Sequence, residues 1–241
     1  MDSYQIVLAA PAAPDAAPDT RIDTAPPELI PGAPALIIDV LRATTTLSVA
    51  LANGAGRVIE AATVEEAFTL KRRHPDALLC GEREGKVVEG FDLGNSPFEY
   101  PPERVGGRTL VFASTNGSQS LRLATGRRRV LTCFRNLAAA VERVKDARDV
   151  VIVCSGKLGR MSLEDVACGA LAAARLEAHG AKARDWASAG ARALAPRDAA
   201  DVARIVEGCS HGRYLRTLGA AFARDVVFCG ALDTLDSAFE V

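Results

Sequence analysis

From Ala35 onward, short runs of consecutive apolar residues alternate with segments whose apolar positions recur every three or four residues. The runs Leu36–Val40, Arg57–Ala61, Ala77–Cys80, Leu110–Ala113, Val130–Thr132, Val150–Cys154 and Val226–Cys229 read as strands, with a further short strand at Gln5–Ala9. Several are apolar at successive positions, the pattern of strands covered by helices on both faces.

The intervening segments carry helix signals. Thr63-Val-Glu-Glu66 predicts a capping box opening a helix over Val64–His74. Thr44 or Thr45 is placed to cap a helix that runs to Asn53 and stops at Gly54. Ser162-Leu-Glu-Asp165 opens a long Ala-rich helix ending near His179-Gly180, and two more are expected over Asp198–Glu207 and His211–Arg224. This β-α order predicts an α/β protein: one domain over residues 1–241, a three-layer α/β/α sandwich with a largely parallel or mixed sheet. The Ala/Pro-rich residues 11–34 lack periodicity and read as an irregular connection within it.

Composition narrows the function classes. With 49% hydrophobic residues in 241, a sizeable core is available. A formal net charge of −1 offers no bulk attraction for nucleic acid or an acidic membrane, so an anionic ligand must be held by local groups. An acidic N-terminus and the lack of a long apolar run predict a cytoplasmic protein. Cysteines 80, 133, 154, 168, 209 and 229 form no Cys-x-x-Cys pair and read as reduced and buried rather than zinc-binding. His74, His179 and His211 read as helix-end or surface residues, and Trp186 as core or interface packing; a homodimer is a further expectation.

The chemistry gathers where strands end. Asp39 closes one strand and Arg42-Ala-Thr-Thr-Thr46 follows it. Glu82-Arg-Glu-Gly85, Ser114-Thr-Asn-Gly-Ser118 and Cys154-Ser-Gly156 follow three others. Carboxyl ends of parallel strands are where such sheets bind ligands, so the four clusters are expected to converge. Arg42 with the Thr44–Thr46 hydroxyls at a helix start suits phosphate, as does the turn Thr115-Asn116-Gly117. Arg83 offers a fork for an anion, while Asp39, Glu82 and Asp92 offer hard oxygen ligands for Mg²⁺. Each cluster alone is as readily a turn, a helix cap or a solvated loop.

Together, Asp39-Val-Leu-Arg-Ala-Thr-Thr-Thr46, Gly81-Glu-Arg83, Gly90-Phe-Asp-Leu-Gly-Asn-Ser-Pro97 and Thr115-Asn-Gly117 resemble the hallmark segments of 2-phosphosulfolactate phosphatases. Cys154-Ser-Gly156, Ser162-Leu-Glu-Asp165, Gly212–Gly219 and Asp225–Cys229 extend the resemblance over roughly Ala35 to Asp233. It implies an α/β/α fold and Mg²⁺-dependent hydrolysis of 2-phospho-3-sulfolactate, a step toward coenzyme M, or of a related small phosphorylated acid. The implied catalytic residues are Asp39, Arg42, Glu82 and Arg83. Substrate binding falls to Thr44, Thr45, Asn95, Ser96, Thr115, Asn116 and Gly117, and metal binding to Asp39, Glu82, Asp92 and Asp165, with Glu164 also in the cleft.

Rival readings have their own residues. Cys154-Ser-Gly-Lys-Leu-Gly-Arg160 has the Cys-x₅-Arg spacing of cysteine-dependent phosphatases, although Met161 and Val153 depart from that pattern. A haloacid-type aspartyl-phosphate route would need a second Asp at position 41, where Leu41 stands. Neither Gly-x-Gly-x-x-Gly nor a P-loop occurs. A non-enzymatic anion-binding protein on the same fold is distinguished by its lack of turnover.

Overall fold

The computed structural model describes residues 1–8, 28–115, 117–157 and 160–241, apart from the side chains of 117–119. Strands β1 (Ser3–Leu8), β2 (Ala35–Ile38), β7 (Arg129–Thr132), β8 (Asp149–Cys154) and β9 (Lys182–Ala183) form a parallel sheet in the order β7-β2-β8-β1-β9. A second sheet, in the order β3-β6-β4-β5, comprises β3 (Arg57–Glu60), β4 (Leu78–Arg83), β5 (Lys86–Val87) and β6 (Thr109–Ala113); only β5 runs antiparallel. The expected α/β/α architecture with largely parallel strands is present, and its strands divide between two sheets.

Successive apolar residues of β2 explain the layering. Leu36 and Ile38 enter one core with helices α5 (Leu137–Val144) and α6 (Leu163–Ala178). Ala35 and Ile37 enter a second with α1 (Ala43–Ala52), α4 (Gly117–Leu123) and inward residues of the smaller sheet, including Leu110 and Phe112. The other face of that sheet packs Leu79, Val111 and Ala113 against Ala67 of α2 (Val64–Arg73). Helices thus lie on both sides of the main sheet, and a strand buried on both faces needs no polar alternation. Leu29, Ile30 and Ala33, from the described end of the Ala/Pro-rich connection, also join the second core; residues 9–27 lie outside the described residues.

The remaining helices are α3 (Pro102–Val105), α7 (Trp186–Arg192), α8 (Ala199–Gly208), α9 (Ser210–Thr217) and α10 (Ala220–Cys229). Val226–Cys229 is therefore the end of a helix and not a strand. Asp225, Val226 and Cys229 face inward at helical spacing while Val227 is exposed. A four-residue apolar run does not distinguish a strand from the buried stripe of a helix. The helix expected over His211–Arg224 is instead two, broken at Gly219, whose φ of +129° is open chiefly to glycine.

Local capping is partly as expected. Thr63 Oγ1 accepts from Glu66 N–H at 3.1 Å, but the Glu66 carboxylate returns to Ala62 N–H instead of the cap residue. Thr63→Ala should cost about 1 kcal/mol, read as a slightly lower denaturant midpoint with an unchanged slope. Helix α1 begins at Ala43, and neither Thr44 nor Thr45 caps it. Trp186 is 94% exposed at the start of α7 and takes no part in the core. No helix among the described residues is long and apolar enough to cross a membrane.

Candidate active site

Asp39, Arg42, Glu82 and Thr115 converge on one cleft of about 310 Å³, as their places at strand ends predict, and Asn95, implied by the family resemblance, joins them. Joining them are Leu41, Glu84, Gly85, Lys157, His211, Tyr214 and Leu215. A larger groove of about 580 Å³ beside α8 holds Asp201, but Arg197 and Arg204 already pair with it.

Asp39 sits just past β2 with its backbone locked. Its N–H donates to Thr44 Oγ1 at 3.0 Å, and its carbonyl accepts from Thr44 N–H at 3.0 Å. Its Oδ1 accepts from Ala43 N–H at 3.2 Å. The amides at the start of α1, expected to hold phosphate, are thus engaged by Asp39. Burial drives the Asp39 carboxyl up to about 7; Ala43 N–H and Arg42 oppose the shift, while Glu82 and Glu164 add to it.

Glu82 is held at the end of β4, where its two carboxylate oxygens accept from Gly85 N–H at 2.7 Å and Thr115 N–H at 2.8 Å. One side chain therefore ties together the turns after β4 and β6. The residue before it, Gly81, allows this approach. A Cβ there would lie 1.8 Å from the Ala113 carbonyl oxygen, at a φ of +134°.

Arg42 is buried, follows a cis Leu41–Arg42 peptide, and is already committed. It donates to Asp225 Oδ2 and to the Gly85 carbonyl, both at 2.6 Å, and its guanidinium lies 5.1 Å from the centre of the Phe222 ring. Ser96 Oγ donates to the other Asp225 oxygen at 2.7 Å, so Ser96 supports the ion pair instead of facing the cleft.

Several expected site residues lie elsewhere. Thr44 and Thr45 are buried, and their hydroxyls serve backbone carbonyls, including Thr132 at 2.8 Å and Val40 at 2.9 Å. Arg83 is half-buried outside the cleft and donates to the Glu82 carbonyl. Asp92 is exposed and accepts from Leu79 N–H, pinning the chain beside β4. Asp165 is buried behind the cleft and accepts from Val40 N–H at 2.8 Å and Gly156 N–H at 3.0 Å, joining the turns after β2 and β8. Burial, with Glu164 and Asp39 nearby, raises its pKa well above the usual carboxylate range. Gly117 begins α4, and Asn116 lies outside the described residues.

Three residues that the sequence patterning passed over line the cleft. Lys157 lies in the turn after β8, 4.2 Å from the centre of the Tyr214 ring, and burial lowers its pKa. Tyr214 donates to the Glu84 carbonyl at 3.1 Å. His211, near the start of α9, places Nδ1 3.4 Å from Glu164 Oε1. Burial works against the Glu164 carboxylate, but hydrogen bonds from His211 and Ser162 outweigh it and hold its pKa low.

Among the described residues no three His, Cys, Asp or Glu side chains form a ready-made metal shell. The oxygens of Asp39 and Glu82 do fit Mg²⁺, which takes one or two carboxylates and completes its shell with waters and substrate phosphate. Asn95 Oδ1 and Thr115 Oγ1 line the same cleft and are buried without hydrogen-bond partners among the described residues. Such acceptors call for a donor or a cation.

The thiol route finds no support in this geometry. Cys154 is completely buried, its Sγ donates to the Asp165 carbonyl, and burial raises its pKa well above that of a free thiol. Arg160 is exposed, and α6 begins only at Leu163. All six cysteines are free and buried. Alkylation of the native protein by iodoacetamide should therefore leave phosphate release unchanged. Rapid loss of activity with one equivalent of label on Cys154 would restore the thiol as a candidate.

Residues 21–241 match the family described as 2-phosphosulpholactate phosphatase. The chain is 42% identical over 203 residues to a probable 2-phosphosulfolactate phosphatase of Thermotoga petrophila, spanning 83% of this chain and 85% of the relative. Similar proteins of the same description come from Symbiobacterium thermophilum, 40% identical over 89% of this chain and 93% of the relative, and Gloeobacter violaceus, 41% identical over 88% and 90%. The chain is a member of the 2-phosphosulfolactate phosphatase family of enzymes.

Proposed function

We propose that this protein hydrolyses 2-phospho-3-sulfolactate, or a closely related small phosphorylated acid, to the free alcohol and phosphate in a Mg²⁺-dependent reaction. The observation that carries this reading is the charge balance of the cleft. Asp39, Glu82 and Glu84 line it against Lys157, with Glu164 behind His211, whereas the charge of Arg42 is already met by Asp225. A phosphomonoester bearing two further acid groups would be repelled there. Each close like-charge pair costs about 4 kcal/mol at an effective dielectric constant near 20. A divalent cation held by Asp39 and Glu82, with the unpartnered oxygens of Asn95 and Thr115, reverses that sign.

Mg²⁺ there would draw electron density from a phosphoryl oxygen. The protein's own groups do the rest. Asp39 in its ionised form accepts a proton from the attacking water, a role its carboxylate can fill because it lines the cleft. Glu82 keeps the turns after β4 and β6 together, so Thr115 holds its place, while Thr46 Oγ1 donates to the Asn95 carbonyl at 3.0 Å. Lys157 supplies positive charge toward the carboxylate or sulfonate of the substrate. Where coenzyme M is made, the product 3-sulfolactate would feed its synthesis.

The test is phosphate release from racemic 2-phospho-3-sulfolactate with Mg²⁺ and with EDTA, beside 2-phospholactate and phosphoenolpyruvate. Fast, chelation-sensitive release that favours the sulfonate is the expected result. Release preferring another acid would retain the phosphatase and replace the substrate. Thermal stabilisation by these ligands with no release from any would mark an anion-binding protein.

A further inference from the structure

We propose that His211, positioned by Glu164, is the proton donor to the departing alcohol oxygen. This rests on the phosphatase reading above and adds a second catalytic residue to it. Loss of an alkoxide from phosphorus is slow unless the oxygen is protonated as it leaves, and histidine is the side chain most often used for such transfers. His211 lines the same cleft as Asp39 but belongs to α9, whereas Asp39 follows β2. Phosphoryl transfer to water uses a proton acceptor for the entering oxygen and a separate donor for the leaving one, and the cleft holds a residue for each.

The pairing with Glu164 sets which nitrogen does the work. His211 Nδ1 lies 3.4 Å from Glu164 Oε1, and the imidazole is 13% exposed. Glu164 is buried at the start of α6, and its Oε2 has no hydrogen-bond partner among the described residues. A buried carboxylate against Nδ1 fixes the orientation of the ring and leaves Nε2 as the transferring atom. A helix-surface histidine has no such partner. Glu164 touches neither substrate nor the reacting atoms in this scheme, so it is a positioning residue.

Water oxygen forms a bond to phosphorus, and its proton passes to Asp39. The bond from phosphorus to the substrate oxygen breaks, its electron pair stays on that oxygen, and the proton of His211 Nε2 joins it. Exchange of one proton each with solvent returns Asp39 and His211 to their starting forms.

Leaving-group dependence tests this directly, because phosphoenolpyruvate and 2-phospholactate have similar shapes but the enol oxygen departs far more readily than the alcohol. His211→Ala should lower kcat for 2-phospholactate and 2-phosphosulfolactate by ~10²-fold or more. On phosphoenolpyruvate the loss should be several-fold at most, and added imidazole should restore much of the alcohol-substrate rate. Glu164→Gln should shift the ratio between the two substrate types in the same direction, a change that simple loss of packing would not produce. Equal losses on all substrates without imidazole rescue would overturn the His211 role, as would a folded variant that is unaffected. A wild-type protein silent on every substrate would instead overturn the phosphatase reading on which it rests.

Discussion

Asp39→Asn is expected to remove nearly all turnover and yet to raise the melting temperature at pH 8. The loss follows from replacing a proton-accepting carboxylate with an amide of the same shape, for which a fall of ~10²–10⁴-fold is typical. The gain follows from burial. The Asp39 carboxyl titrates at about 7 in the folded protein, far above an ordinary aspartate. Above that pH both folded and unfolded chains carry the charge, and the folded one bears its desolvation. As the pH falls through about 7 toward 4, the folded state takes up the proton first and recovers that stability. The uncharged amide avoids the cost at every pH and still accepts from Ala43 N–H.

The difference between variant and wild type should therefore be greatest at pH 8 and vanish near pH 4. A shift of one pKa unit corresponds to about 1.4 kcal/mol, so roughly 1–3 kcal/mol is at stake after relaxation of the site. In a chain of this size that is about 2–12 °C. The measurement is calorimetry with EDTA at several pH values, together with phosphate release at saturating Mg²⁺. Near-normal turnover of the variant would remove Asp39 from the chemistry. A lower melting temperature at pH 8 would show that the carboxylate is stabilised by its surroundings and not strained by them.

Asp225→Ala should have the largest effect on stability. Arg42 and Asp225 form an ion pair whose side chains are only 3% and 2% exposed. Removing the carboxylate leaves a guanidinium in a medium that solvates it poorly, and Ser96 loses its acceptor. Breaking such a buried pair typically costs about 3–5 kcal/mol, which corresponds to a fall of about 6–20 °C in Tm for a chain of this size. Replacing both partners with apolar residues, Arg42→Met with Asp225→Leu, should recover much of that stability because no charge is stranded. Activity should stay low, since Arg42 lines the cleft. A small Tm change for Asp225→Ala would mean that Gly85 and the Phe222 ring suffice to hold Arg42.

Legibility of the site followed the distance over which each contact is made. Asp39, Glu82 and Thr115 were visible because each lies at or just past the carboxyl end of a strand, and parallel strands deliver those ends to one edge. Asn95 came from the family resemblance alone. Asp225 was hidden by a short apolar run that also reads as a strand, and its partner is 183 positions away. His211 was hidden because nothing near it in sequence announces Glu164; the two meet only when folding brings the starts of α6 and α9 together. The local strings of Arg83 and Asp92 also suit ligands, but in the fold neither residue lines the cleft.

By itself the sequence determined the α/β class, most strand and helix positions, and the strand-end clusters, several of whose residues line the cleft. These depend on periodicity, capping and turn residues within a few positions of one another. The tertiary structure decided that the strands divide into two sheets and that the helix-start amides serve Asp39. It also decided that Arg42 is neutralised by Asp225 and that a histidine enters the cleft. Those outcomes depend on which buried polar groups find partners, and burial is a property of the packed chain, not of any segment of it.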